Sequence, residues 1–239
     1  MIETFTALLF AHVLADFALQ TNWINANKRR PAVMLLHGAL VLLSAQAATG
    51  QVASPHLLAL ALAHVVIDAL KISGGFHHLR GFLLDQAAHL VTLALIAALA
   101  PTLWSGGAWA ALPALLPLMA LTSGILITLS AGQYAVGLLM RPHGARIRNQ
   151  GLREGGRQIG LLERGLIFAM LMLGQPLGVG FLIAAKSILR FGTATRDQRT
   201  AEYVIIGTLA SFGWAILTAE GTAMLISVLP PLEIAALLP

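Results

Sequence analysis

Three pairs of ionisable residues recur at one spacing: His12-x-x-x-Asp16, His64-x-x-x-Asp68 and, reversed, Asp85-x-x-x-His89. Residues four apart lie on one face of an α-helix, with Cβ atoms about 6 Å apart, which is how helices present paired metal ligands. His37 stands alone in a further apolar run, and the chain has no cysteine. Imidazole and carboxylate without sulfur suit Zn²⁺, Mn²⁺ or Fe²⁺, and accommodate Mg²⁺ where waters complete its shell. A divalent metal held by His12, Asp16, His64, Asp68 and His89 would lower the pKa of a bound water and prepare it to attack an ester or phosphoryl centre. Asp85 is then a ligand or general base, and His37 a fourth ligand or an orienting neighbour. The same groups admit a metal-free reading as packing residues, structural ion pairs or a proton relay. His56, His77, His78 and His143 fall at the ends of apolar runs or between them and are expected to be solvated or interfacial.

The elements that must carry these groups are membrane spans. Of 239 residues, 57% are hydrophobic and 10% charged, against roughly 25% charged in soluble domains. Apolar runs lie near 2–20, 32–48, 55–72, 83–100, 116–139, 160–174, 176–191 and 202–218, with an apolar tail from 222. A span needs about 20 apolar residues. The chain is therefore expected to be all-α: a polytopic transmembrane helix bundle of about eight spans (seven to nine), forming a single membrane domain over 1–239.

Charge orients the bundle. Lys28, Arg29 and Arg30 follow the first run, Arg80 the third, Arg141 to Arg157 the fifth, and Arg196 and Arg199 the seventh, while the intervening loops carry no Lys or Arg. Basic loops face the cytoplasm, so the N-terminus is placed outside, in the periplasm if the source is a diderm bacterium, and the protein is expected to cross the membrane many times. Basic residues confined to short clusters between apolar runs argue for orientation in a bilayer and against nucleic-acid binding. No basic region precedes the first apolar run, so no cleavable signal is expected.

This orientation puts the pairs in order. Spans one and three run inward and read His then Asp, whereas span four runs outward and reads Asp then His. In each, the Asp is nearer the cytoplasm. At about 1.5 Å per residue, the acids fall roughly 5–10 Å from the cytoplasmic ends and the imidazoles roughly 10–15 Å, His37 included. Three of the four Asp residues of the chain lie in these pairs. Each would cost about 3 kcal/mol at a lipid-facing midplane, so they should point toward each other, water or an ion.

Chemistry divides the chain: a His/Asp-bearing four-helix half (1–100), an Arg-rich cytoplasmic loop (141–158) and a half bearing Glu, Lys and Arg (160–218). In the latter, Glu163, Arg164 and Glu202 are expected in structural ion pairs among the helices. Alternatively Lys186 and Arg190, four apart on one face, clamp a phosphate. With Lys71, they are the candidates for contact with a charged substrate group, and the Arg-rich loop attracts anionic lipid.

Several motifs are also shared with a family. His12 to Asp16-Phe17 and Gln20 match H-x-x-x-D-F-x-x-Q; His64, Asp68 and Lys71 match H-x-x-x-D-x-x-K; Asp85-Gln86 and His89 match D-Q-x-x-H. Gly160 to Arg164, Ala185 to Phe191 and Glu202 to Thr208 match later elements. In these motifs the chain resembles the uncharacterised bacterial membrane-protein family known as domain of unknown function three-three-zero-seven. That resemblance implies a multi-spanning inner-membrane protein without an established activity. A looser similarity, through the H-x-x-x-D segments, is to inner-membrane metal-dependent hydrolases.

Three functions are compatible with these residues. One is a membrane-embedded metal-dependent hydrolase acting from the cytoplasmic side on a lipid phosphate or related anionic ester. Another is a transporter of protons, metal ions or a small anion, although the outer halves of the spans contain almost no ionisable relay. The third is a non-catalytic membrane subunit of a larger complex. No G-x-S-x-G elbow, Walker loop or Rossmann fingerprint supports serine hydrolysis or nucleotide chemistry.

Overall fold

The computed structural model describes residues 1–144, 154–194 and 198–231, the side chains of 189–194 excepted. Every regular element among the described residues is helical. The first helix, α1 (Ile2–Leu14), continues into a π-helical turn, Ala15–Leu19, that carries Asp16. Thr21 accepts from the Ile24 amide at 3.3 Å and so caps the short α2 (Asn22–Asn27). Pro31 and Pro55 open α3 (Pro31–Thr49) and α4 (Pro55–Ser73), at the turn where a missing N–H costs nothing. His78 Nδ1 accepts from the Gly81 amide at 2.9 Å at the start of α5 (Leu79–Leu99), and α6 is Leu115–Leu126.

The chain forms two compact units, Met1–Leu126 joined by the segment from Met224, and Ile127–Ala223. The boundary falls at Ile127, inside an apolar run, so neither hydropathy nor the polar loop marked it. In the first unit, α1 packs against α3, α5 and α6, and α4 packs against α3 and α5. Ala7, Leu8, Ala11, Val13 and Ala15 of the first span are buried. Small residues of this kind let helix backbones approach closely.

The second unit contains a π-helical turn at Ile127–Ala131, α7 (Gly132–Gly144), α8 (Gly155–Met172), α9 (Pro176–Ala194) and most of α10 (Gln198–Ser227). Ile167, Val179, Phe212 and Ala215 form its core. The Arg-rich loop is shorter than 141–158: Arg141 belongs to α7 and Arg157 to α8, and 145–153 lie outside the described residues. Likewise α10 runs unbroken through the start of the apolar tail at 222 to Ser227.

Six described helices are long and apolar enough to cross a membrane: Ile2–Leu19, Pro31–Thr49, Pro55–Ser73, Leu79–Leu99, Leu115–Gly144 and Gln198–Ser227. Pro176–Ile188 is a shorter apolar helix, and α8 carries Arg157, Glu163 and Arg164 within its length. Six is thus the number that length and composition support, against the eight expected. Large apolar side chains stand exposed on these helices, among them Leu35, Leu62, Leu84, Val91 and Leu217, all at 60% or more. An apolar exterior of this extent belongs in lipid, and the protein is a membrane protein.

Candidate metal centre

The predicted histidines and acids of the first unit come together. His12, His37, His64, Asp68, Asp85 and His89 are buried, and the Asp16 side chain is 8% exposed. Asp16, on the π-helical turn, shares a group of donor atoms with its i,i+4 neighbour His12 and with His64, and its Oδ1 lies 3.2 Å from His37 Nε2 and 3.3 Å from His64 Nε2. The two imidazoles face each other, Nε2 to Nε2, at 3.0 Å. Asp68 Oδ2 lies 3.4 Å from His37 Nε2 and 3.6 Å from His64 Nε2.

His37 can reach this centre because α3 lies unusually close to α4. A Cβ added at Gly38 would stand 2.6 Å from Val65 Cγ2. His37, expected from its sequence position to be an auxiliary ligand, is thereby central.

His12 and His89 flank the four-atom set. Their rings stack with centroids 5.0 Å apart, and the His89 ring lies 4.1 Å from that of His64. His12 Nε2 meets Gln86 Oε1 at 3.3 Å, and His89 Nδ1 donates to the Asp85 carbonyl oxygen at 2.8 Å. His89 Nε2, His12 Nδ1 and His37 Nδ1 are buried without a hydrogen-bond partner among the described residues. A cavity of about 10 Å³ adjoins His12, His64 and His89, room for about one water.

Two lysines close the acidic side. Lys28 Nζ lies 2.6 Å from Asp68 Oδ2, with both side chains under 10% exposed, and Lys71 Nζ lies 2.6 Å from Asp85 Oδ2. Lys28 is the member that the sequence did not single out. It sits between spans, among the basic residues read as orienting charges, and only the folded path of α2 brings it inward. Lys71 and Asp85 Oδ2 engage each other, while Asp85 Oδ1 is buried without a hydrogen-bond partner among the described residues.

The other predicted residues lie in the second unit. Glu163 pairs with Lys186 at 2.6 Å. Arg164, expected in an ion pair, instead donates to the Thr128 and Leu129 carbonyl oxygens and to Ser211 Oγ at 3.0, 3.3 and 3.0 Å. The π-helical turn opens carbonyls that a regular helix would bond within itself, and this guanidinium takes two of them. Glu202, also expected in an ion pair, accepts from Gln198 on its own helix at 2.9 Å. The Arg190 side chain lies outside the described residues.

Fold and centre define a polytopic helical membrane protein with a buried cluster of imidazoles, carboxylates and ammonium groups in its N-terminal unit. Residues 4–112 match the family described as Protein of unknown function (DUF3307). All three pairs, His37, Lys28 and Lys71 fall inside the matched segment; the motifs from Gly160 onward fall outside it. No curated protein and no solved structure matches the chain.

Proposed function

We propose that the protein is a metal-dependent hydrolase of the bacterial inner membrane. Its centre comprises His37, His64, Asp16 and Asp68, and it acts on a lipid phosphate or related anionic ester. The observation that carries this reading is the spacing of the four donor atoms, of whose six separations five lie between 3.0 and 3.6 Å. Adjacent ligands of a zinc site with bonds of 2.0–2.1 Å to nitrogen and oxygen stand about 3.3–3.4 Å apart; the donor atoms of His37, His64 and Asp68 all lie within 4.8 Å of one another, and Asp16 groups with His12 and His64. The set includes no sulfur donor, which keeps Mn²⁺ and Fe²⁺ beside Zn²⁺ as candidates.

A divalent cation in this position supplies an activated water and a Lewis acid. The protein's own groups do the rest. Lys28 holds Asp68 by one oxygen, so Asp68 either completes the ligand set or receives the proton of the attacking water. His12 and His89, each with an unpartnered ring nitrogen, stand beside the centre as further proton acceptors. Lys71, 24% exposed on its side chain, marks where the cluster meets the surface and where an anionic group first encounters positive charge. The alternating basic loops put this entrance on the cytoplasmic side, with the N-terminus outside. An eight-span topology then requires α8 and α9 to cross as well.

One observation favours a second reading, a proton carrier. Without a metal, the 3.0 Å contact between His37 and His64 is an N–H···N hydrogen bond. Three carboxylates against two lysines then leave one negative charge for an imidazolium to balance.

Metal content of the detergent-purified protein separates the two. The hydrolase reading expects about one divalent ion per chain in the wild type, lost in His37→Ala and His64→Ala and kept in His56→Ala. It further expects turnover of a lipid phosphate that the same two substitutions abolish. Equal, substoichiometric metal in all four proteins, with proton uptake into vesicles, would establish the carrier instead.

A further inference from the structure

The second unit contains a cleft of about 460 Å³ lined by α7, α8, α9 and α10. Arg157, Arg164 and Lys186 contribute to its wall, and Glu163 is the one carboxylate there. Because Glu163 is already engaged by Lys186 at 2.6 Å, that pair is neutral, and among the described residues neither arginine has a carboxylate partner within the cleft wall.

Arg164 is the more telling of the two. It is 2% exposed, and among the described residues no carboxylate lies within ion-pair distance of it. Its three described partners are two carbonyls and a hydroxyl, all neutral. Those bonds use three of the five guanidinium N–H donors, leaving one on each terminal nitrogen without a described acceptor. A buried charge without a counter-ion is expensive, and natural proteins pair such groups or let them bind an ion. Arg157 repeats the pattern: with the Gln133 amide oxygen turned toward it, its Nε and Nη2 donate at 2.6 and 3.1 Å. Its contact with Glu154 is long, 3.4 Å, and mostly exposed.

The cleft is also kept open. Gly137 and Gly156 line it, and a Cβ at either would meet nothing within 4 Å. Val136, Met140 and Val204 add apolar wall. A charged end and an apolar side in one cleft are complementary to a phosphate group carried on an apolar body.

We propose that this cleft is a binding site for a phosphate group, held by Arg164 and Arg157, with the cleft wide enough to take the organic part of a phospholipid. Paired N–H donors of arginine match phosphate oxygens in number and plane. The shared chemistry is the anionic phosphate. It can arrive as a lipid headgroup from the bilayer or as free phosphate from water.

The full-length protein in non-ionic detergent is tested by native mass spectrometry against phosphatidylglycerol and phosphatidylcholine, and by thermal unfolding with inorganic phosphate. Wild type is expected to retain phosphatidylglycerol in preference to phosphatidylcholine. Arg157→Gln is expected to weaken that binding about tenfold, the loss of one charge-assisted hydrogen bond, and Gly137→Leu is expected to block it by filling the cleft. Both positions leave the core of the unit untouched, and Arg29→Gln, an exposed arginine of another loop, serves as the control with unchanged binding. Stabilisation by inorganic phosphate that competes with the lipid assigns the site to free phosphate; retention of lipid without that competition assigns it to a headgroup. Binding that is equal for the two lipids, or unchanged in both cleft variants, with no effect of phosphate, overturns the proposal.

Discussion

His37 and His64, on neighbouring helices 27 residues apart in sequence, bring their Nε2 atoms to 3.0 Å while Asp16 approaches both from a third segment. Two imidazole nitrogens and two carboxylate oxygens thus converge in a region where most other side chains are apolar. Chelation provides the most direct check. Removing metal from wild type is expected to lower its thermal unfolding midpoint in detergent, since a ligand that binds only the folded state stabilises it by mass action. His37→Ala and His64→Ala should be insensitive to chelator. A chelator response of equal size in these variants would place the metal elsewhere.

The two lysine bridges should differ in weight. Lys28–Asp68 is almost wholly buried, whereas Lys71 is 24% exposed on its side chain. Removing one partner of a buried pair costs about 3–5 kcal/mol, because the other charge is left uncompensated. Lys28→Met is therefore expected to destabilise the protein by that amount and Lys71→Met by clearly less. Replacing Lys28 and Asp68 together by Met and Leu should recover much of the loss. Chemical unfolding of the four proteins measures all of these terms.

Close helix approach at Gly38 is testable on its own. The 2.6 Å separation between a Cβ there and Val65 Cγ2 means that Gly38→Ala must push α3 away from α4 or force a stiff, β-branched side chain aside. Overpacking of this kind costs about 1–3 kcal/mol, and it moves His37 off its centre. Reduced stability and reduced metal content are both expected, and Gly38→Ala with Val65→Ala should restore them together. Restored stability without restored metal would show that the approach serves packing alone.

Orientation can be read with single cysteines, because the chain has none of its own. Val52, 87% exposed between α3 and α4, and Ser73, exposed at the far end of α4, should lie on opposite sides. In intact cells a membrane-impermeant maleimide is expected to label Val52→Cys, and to label Ser73→Cys only after permeabilisation. The reverse pattern would invert the topology.

The residues of the centre were legible because a bilayer makes ionisable groups conspicuous. His12, Asp16, His64, Asp68, Asp85 and His89 stood out by spacing and His37 by being polar in an apolar run. Their pairing was less legible. An i,i+4 rule joins Asp16 to His12, and the two do share a group of donor atoms; spacing does not show that Asp16 also reaches His37 and His64 on other helices. Lys28 was hidden for a different reason: a lysine beside Arg29 and Arg30 is fully accounted for by topology, and nothing local says that one of the three turns inward. Among the later charges, Glu163 was expected in an ion pair and meets Lys186. Arg164 takes carbonyls opened by a π-helical turn at Ile127–Ala131, another contact that spacing does not show.

At the end of the first unit remote from Lys28 and Lys71, side chains are bonded to the main chain of distant segments. Thr4 Oγ1 donates to the Pro101 carbonyl oxygen, Gln51 Nε2 to that of Leu103 and Trp109 Nε1 to that of Ala47, at 2.8, 3.0 and 2.7 Å. A Cβ at Gly107 would collide with the Thr49 carbonyl, and Trp104 is fully buried beneath. Thr4 and His12 are eight residues apart on one helix, about 12 Å, so this plug lies directly behind the imidazoles. A centre closed on that side, as the hydrolase reading requires, would take in its substrate and return its product through one opening.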